Sequence, residues 1–173
     1  MQNEKITVRN ARTTEVSAIG QLMIQVYSAL EGFPGISEQP AYYAMLANVG
    51  ELASRPGAEL IVALSGERLA GAVVYFNDIQ FYGSGGTATQ EKEAAGFRLL
   101  AVHPNFRKQG IGRLLAETCI ARARQARRNQ VIIHSTRSMR TAWGMYQRMG
   151  FLRSEDLDFL QGELPVFGFR LPL

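Results

Sequence analysis

The stretch Leu99-Leu100-Ala101-Val102-His103-Pro104-Asn105-Phe106-Arg107-Lys108-Gln109-Gly110-Ile111-Gly112-Arg113 constrains this chain more than any other. Leu99 to Val102 is an apolar run of strand length. Pro104 has no N–H to give and stops the ladder. Arg107 and Lys108 bring positive charge to the turn, and Gly110 and Gly112 lack the Cβ that would hold a ligand off the backbone. Helical spacing starts at once, with Ile111, Leu114, Leu115, Cys119, Ala123 and Ala126 on one stripe. Such a corner offers free helix N–H groups and the positive end of a dipole to an anion, with phosphate or pyrophosphate the best fit.

The spacing narrows the choice of ligand. A Walker loop needs four residues between its glycines and then Gly-Lys-Ser/Thr, which is absent. A dinucleotide fingerprint needs a third glycine where this chain has Leu115. With 173 residues, 46% apolar and 20% charged, the chain suits one domain spanning 1–173 with a single substantial core. The net charge of +4 is too mild to argue for nucleic acid by itself. Arg122, Arg124, Arg127 and Arg128 lack interleaved aromatics and read as a solvated helix face. Cys119 stands alone on the buried stripe, so no internal disulfide and no structural zinc site is expected. The opening Met-Gln-Asn-Glu-Lys has no basic-then-apolar leader, and no apolar run reaches membrane-spanning length. A cytoplasmic enzyme without metal, membrane or nucleic-acid partner is the expectation.

Taken in order, Ile6 and Val8 alternate with polar neighbours as a first strand. Thr13 or Thr14 is placed to cap a helix whose stripe is Val16, Ile19, Met23, Val26 and Leu30. Pro40 opens a second helix that runs through Tyr42, Met45, Leu46, Val49 and Leu52 to Arg55-Pro56-Gly57. Leu60–Leu64 and Leu69–Phe76 flank Ser65-Gly66-Glu67-Arg68 as a hairpin. Residues 77–95, with Gly83-Ser84-Gly85-Gly86, read as a long mobile loop, either an acceptor-side wall or an idle insertion. Val131–Thr136 is a strand, and Ser138 is placed to cap a helix carrying Met139, Ala142, Trp143, Tyr146 and Met149. A strand from Phe151 and a last one over Val166–Leu171 close the chain. The order is strand, two helices, three strands, helix, strand, helix, two strands: an α/β fold with helices on both faces of a mixed sheet.

Arg107-x-x-Gly110-x-Gly112, following Leu100-x-Val102-x-Pro104, resembles the GNAT superfamily of acyl-CoA-dependent N-acetyltransferases. A second signature, Ala142-x-x-x-Tyr146-x-x-x-Gly150-Phe151, strengthens the resemblance. It implies a largely antiparallel GNAT-like sheet and acetyl-CoA as the acetyl donor. It further implies that Arg107, Lys108, Gln109, Gly110, Ile111, Gly112 and Arg113 hold the pyrophosphate. Main-chain N–H groups of Leu100, Ala101 and Val102 would meet the pantetheine arm and thioester carbonyl. Tyr146 would protonate the departing thiolate, since a phenol is a donor at neutral pH. The acceptor would be a primary amine lying near Tyr27, Glu31, Phe33, the glycine-rich loop and Asp158. Relatives often pair, so a homodimer is among the expected states.

Two departures stand out. Met139 occupies the position where many relatives carry an arm-binding asparagine, leaving Ser138, Thr136 or backbone to replace it. Gly96 occupies the position of a glutamate that serves some relatives as base, so the base is open among Glu93, His103, His134, Asp158 and water. These losses also motivate a rival reading, an acyl-CoA-binding regulatory module without catalysis.

Overall fold

The computed structural model describes residues 4–173; Met1–Asn3, on which part of the leader reading rests, lie outside it. Thirteen elements follow one another: β1 Ile6–Asn10, α1 Val16–Ser28, α2 Pro40–Ala47, α3 Val49–Ala53, β2 Ala58–Ser65, β3 Arg68–Phe76, β4 Ala94–Val102, α4 Ile111–Gln125, β5 Gln130–Ser135, α5 Arg140–Arg148, β6 Leu152–Arg153, β7 Phe159–Gln161 and β8 Leu164–Pro172. The sheet runs β1-β2-β3-β4-β5-β8-β6, with β7 on the other half of β8. Every pairing is antiparallel except β4 with β5. Alternation sorts the side chains. Val62, Leu64, Val74 and Phe76 pack beneath α1–α3, while Ile61, Ala63, Val73 and Tyr75 pack beneath α4 and α5. Among the described residues, no helix is long and apolar enough to cross a membrane.

Several expectations need correction. The single helix expected over 40–52 is two, broken at Asn48, whose backbone leaves the helical region. The apolar face continues across the break, so its spacing alone concealed it. Neither Thr13 nor Thr14 caps α1; both lie in a 3-10 turn that precedes it, closed by the Glu15 carboxylate accepting from the Arg12 N–H at 2.7 Å. Ser138 does not cap α5, which starts behind Met139. The closing segment holds three strands where two were expected, because Phe159–Gln161 turns back on Leu164–Val166.

Residues 77–93 are not an open loop. Two 3-10 turns, Ile79–Phe81 and Ala88–Gln90, bury Ile79, Tyr82 and Ala88. The Tyr82 carbonyl accepts from Arg98 at 2.9 Å, and that of Phe81 from Arg55 at 3.1 Å. The glycines at 85 and 86 lie directly against the Phe159 ring. The small residues therefore serve close packing here.

Two features of β4 position everything that follows. It pairs with β5 only over Ala94–Gly96, opposite Gln130–Ile132, and then the strands part. Between Arg98 and Ala101 its register with β3 slips, so that Leu99 and Leu100 together face Val73. Leu99 takes up the extra residue with φ of 60°, a left-handed conformation that costs a branched residue about 1–2 kcal/mol. Gly96 marks the closed end of the fork. A Cβ there would lie 2.8 Å from the Ile132 carbonyl oxygen, 2.7 Å from Ile79 Cδ1 and 2.9 Å from Tyr82 Cδ2. Gly96→Ala should therefore lower unfolding stability by about 1–3 kcal/mol, measured by urea titration.

Candidate active site

The parted strands leave a cleft, and α4 starts at its rim. Gly110 precedes the helix with φ of 77°, Lys108 has φ of 62°, and no side chain caps the end. The first intrahelical bond is Leu114 N–H to the Gly110 carbonyl at 3.0 Å. The N–H groups of Ile111, Gly112 and Arg113 are thus left without helical acceptors. Ile111 is buried and anchors the turn, while Arg107, Lys108, Gln109 and Gly110 are exposed. A Cβ built on Gly110 would meet nothing within 4 Å, so that flank is open to a ligand. Arg113 forms an ion pair with Glu117 at 2.7 Å, whereas no ion pair joins Arg107 or Lys108 to a described residue.

Along β4 the main chain alternates. The His103 N–H donates to the Ala70 carbonyl, so the groups of Ala101, opposite Ala72, also face β3. Val102 consequently faces the cleft. The Leu100 carbonyl is turned out of the ladder by the bulge and accepts from the Tyr27 hydroxyl at 3.0 Å. Of the three residues expected to meet a thioester, Ala101 lies opposite Ala72 with its main chain toward β3, and Val102 has its main chain toward the cleft. Across the gap, Thr136 Oγ1 at the end of β5 is buried without a hydrogen-bond partner among the described residues. An uncapped helix, cleft-facing main chain and an orphaned hydroxyl together fit a long polar ligand with a phosphate end.

Three buried phenols pack close to β4 and β5: Tyr27 on the Leu100 carbonyl, Tyr82 on His134 and Tyr146 against Phe97. Tyr146 is packed edge-on between Phe97 and Phe151 with ring centroids at 5.8 and 5.6 Å. It makes no hydrogen bond with a described residue, and burial raises its pKa, so it stays protonated. Burial likewise raises Tyr27 and Tyr82, and both lie near enough to Tyr146 for the charges to be felt. Tyr27 also joins Phe33 and Tyr42 in an aromatic trio with centroids 5.6–6.1 Å apart. Glu31 is exposed beside it. Gln39 Nε2 donates to the Gln161 carbonyl at 3.1 Å, tying α2 to the β7–β8 hairpin on this side of the cleft.

Each of the four candidate bases already has a hydrogen-bond partner among the described residues. Glu93, at the closed end of the fork, accepts from Asn129 Nδ2 at 2.7 Å. His103 Nδ1 accepts the Asn105 N–H at 3.1 Å and so closes the Pro104 turn. Asp158 is held bidentately by Arg153 at 2.9 and 2.8 Å and accepts the Gly168 N–H at 2.7 Å. Burial would raise its pKa, but those bonds prevail and hold it below the usual carboxylate value. His134 sits between the Tyr82 hydroxyl, 3.0 Å from Nδ1, and the Leu157 carbonyl, 2.9 Å from Nε2. A carbonyl only accepts, so Nε2 carries the proton and Nδ1 accepts from Tyr82. Cys119 is fully buried and its thiol is pushed up by that burial, leaving it inert.

The model of the Acetyltransferase (GNAT) family matches residues 23–151. The chain belongs to the GNAT acetyltransferase family. Solved structures agree on the fold. An acetyltransferase of this family from Staphylococcus aureus Mu50 is 12% identical with a TM-score of 0.75, covering 98% of this chain and 99% of that one. YncA of Salmonella typhimurium, a putative acetyltransferase solved with acetyl-CoA as its cofactor, is 15% identical with a TM-score of 0.67 over 97% and 94% of the two chains. A ribosomal-protein-alanine N-acetyltransferase from Brucella melitensis is 17% identical with a TM-score of 0.68 over 96% and 99%. No curated protein matches the sequence. Acetyl-CoA is the family's donor, and an acceptor substrate receives the acetyl group.

Sequence reasoning missed Tyr82 and Arg98, which meet His134 and the aromatic wall. The signal for Arg98 was present: one charge inside an otherwise apolar strand. His134 yields a pH prediction. Burial, the largest cause, lowers its pKa to about 4 from 6.5. Below pH 6.5 the unfolded chain binds a proton that the folded one refuses, so stability falls as pH drops from 6.5 towards 4. The loss should be on the order of 3 kcal/mol in urea titrations, and His134→Gln should remove that component.

Proposed function

We propose that this acetyltransferase moves the acetyl group of acetyl-CoA to a primary amine by direct attack within a ternary complex. The observation that carries the reading is the fork between β4 and β5 with the bare end of α4 at its rim. The N–H groups of Ile111, Gly112 and Arg113, with Arg107, Lys108, Gln109 and Gly110 around them, hold the pyrophosphate. Thr136 Oγ1 takes the arm contact that Met139 cannot make, since a thioether is only a weak acceptor. Acetyl-CoA supplies an acyl group already activated as a thioester. The N–H groups of Leu100 and Val102 meet the arm and the charge that develops on the acetyl oxygen. A preorganised donor there is worth about 2–4 kcal/mol of barrier.

Tyr146, buried and protonated, donates its phenolic proton to the leaving sulfur. Because Glu93, His103, His134 and Asp158 each already hold a hydrogen-bond partner, water is the favoured first acceptor of the proton from the attacking amine. A thiol as inert as Cys119 argues against an acetyl-enzyme. The engagement of every candidate base equally favours the rival reading, a binding module without transfer.

Release of free thiol from acetyl-CoA across an amine panel separates the two. Transfer requires release with at least one amine and intersecting initial-velocity lines. Stabilisation by acetyl-CoA with no release from any amine would favour the binding module. Tyr146→Phe should lower kcat about a hundredfold while the Kd for acetyl-CoA, by calorimetry, stays within about twofold. An unchanged kcat would end the acid role.

A further inference from the structure

Arg98 interrupts the apolar run of β4 on the face covered by α1 and α2. Its Nη1 donates to the Tyr82 carbonyl at 2.9 Å, its Nη2 lies 3.8 Å from Met45 Sδ, and its Cζ stands 5.5 Å from the centre of the Tyr82 ring. Its charge is felt by the phenols of Tyr27, Tyr42 and Tyr82 and by His134. No Asp or Glu among the described residues forms an ion pair with it. A guanidinium presents five N–H groups as a planar fork; one bond to a carbonyl and a weak one to sulfur leave most of that fork unused. A half-buried cation over an aromatic ring without a counter-charge is costly, and a planar, two-oxygen anion relieves that cost best.

Its place along the strand gives the fork a purpose. Arg98 lies two residues before Leu100, across the bulge at Leu99, beside the main chain that faces the thioester in the transfer reading. Leu100 is itself bonded to Tyr27 of the aromatic trio. An α-amino acid carries its amine and its carboxylate on one carbon, so one group at Arg98 leaves the other beside the cleft. A polycationic acceptor would meet like charge at this position.

We propose that the acceptor is an α-amino acid whose carboxylate is bound by Arg98, making Arg98 the residue that sets substrate class. This rests on the transfer reading above. The test measures thiol release by the full chain with matched α-amino acids and their amides. The acids should exceed the amides in kcat/KM by about a hundredfold, and Arg98→Met should bring that ratio close to one. Arg98→Lys, which keeps the charge and loses the fork, should lower the ratio by about tenfold, and it serves alone should Arg98→Met fail to fold. A wild-type ratio near one overturns the proposal. So does a ratio retained in the variants while both rates fall, for Arg98 would then only pin Tyr82. If neither series releases thiol, transfer itself has failed and Arg98 is read by binding. With CoA present, amino acids should then raise the Tm of the wild type and not that of Arg98→Met; no rise in the wild type refutes carboxylate recognition as well.

Discussion

The separation of β4 from β5 beyond Gly96 is the constraint on which the rest of the molecule turns. Two neighbouring strands of one sheet ordinarily satisfy each other's main chain. Here the pairing stops after three residues, and the groups beyond it need other partners. One is internal, the Tyr27 hydroxyl on the Leu100 carbonyl. Others, such as those of Val102, face the gap. The fork holds open because both of its arms are fixed elsewhere: β4 by β3 along most of its length, and β5 by all six of its residues on β8. Its closed end is fastened by close packing around Gly96 and by Asn129 on Glu93.

The left-handed Leu99 belongs to the same design. Without a bulge, strict alternation would direct the Leu100 carbonyl according to the ladder with β3. The extra residue shifts the phase, so that Leu99 enters the core beneath α1 while Leu100 packs on the side of α4. Strain at one buried leucine is thereby exchanged for main chain turned toward the gap. Tyr27, Tyr82 and Tyr146 come to this part of the sheet from α1, from the 77–93 segment and from α5, and burial keeps all three phenols un-ionised.

What could be read from the sequence followed from whether the chemistry is local. The corner from Val102 to Arg113 was legible as a strand end and a helix start because Pro104, Gly110 and the apolar spacing that mark them lie within a few residues. The buried stripe with Cys119 was legible for the same reason. The candidate bases were not, because whether a carboxylate is free depends on distant partners: Arg153 and Gly168 for Asp158, Asn129 for Glu93. The break at Asn48 left the apolar spacing intact and therefore left no trace. Arg98 was passed over because an apolar run reads as a strand with or without one charge, and only tertiary contact shows that the charge lacks a partner.

The place of β8 has a consequence for synthesis. It lies between β5 and β6 although the ribosome makes it after both. Until it arrives, the outer edge of Val131-Ile132-Ile133 is bare, an unprotected apolar template of the sort that recruits foreign strands. The emerging polypeptide thus passes through a period of exposure to self-association that the finished molecule has sealed.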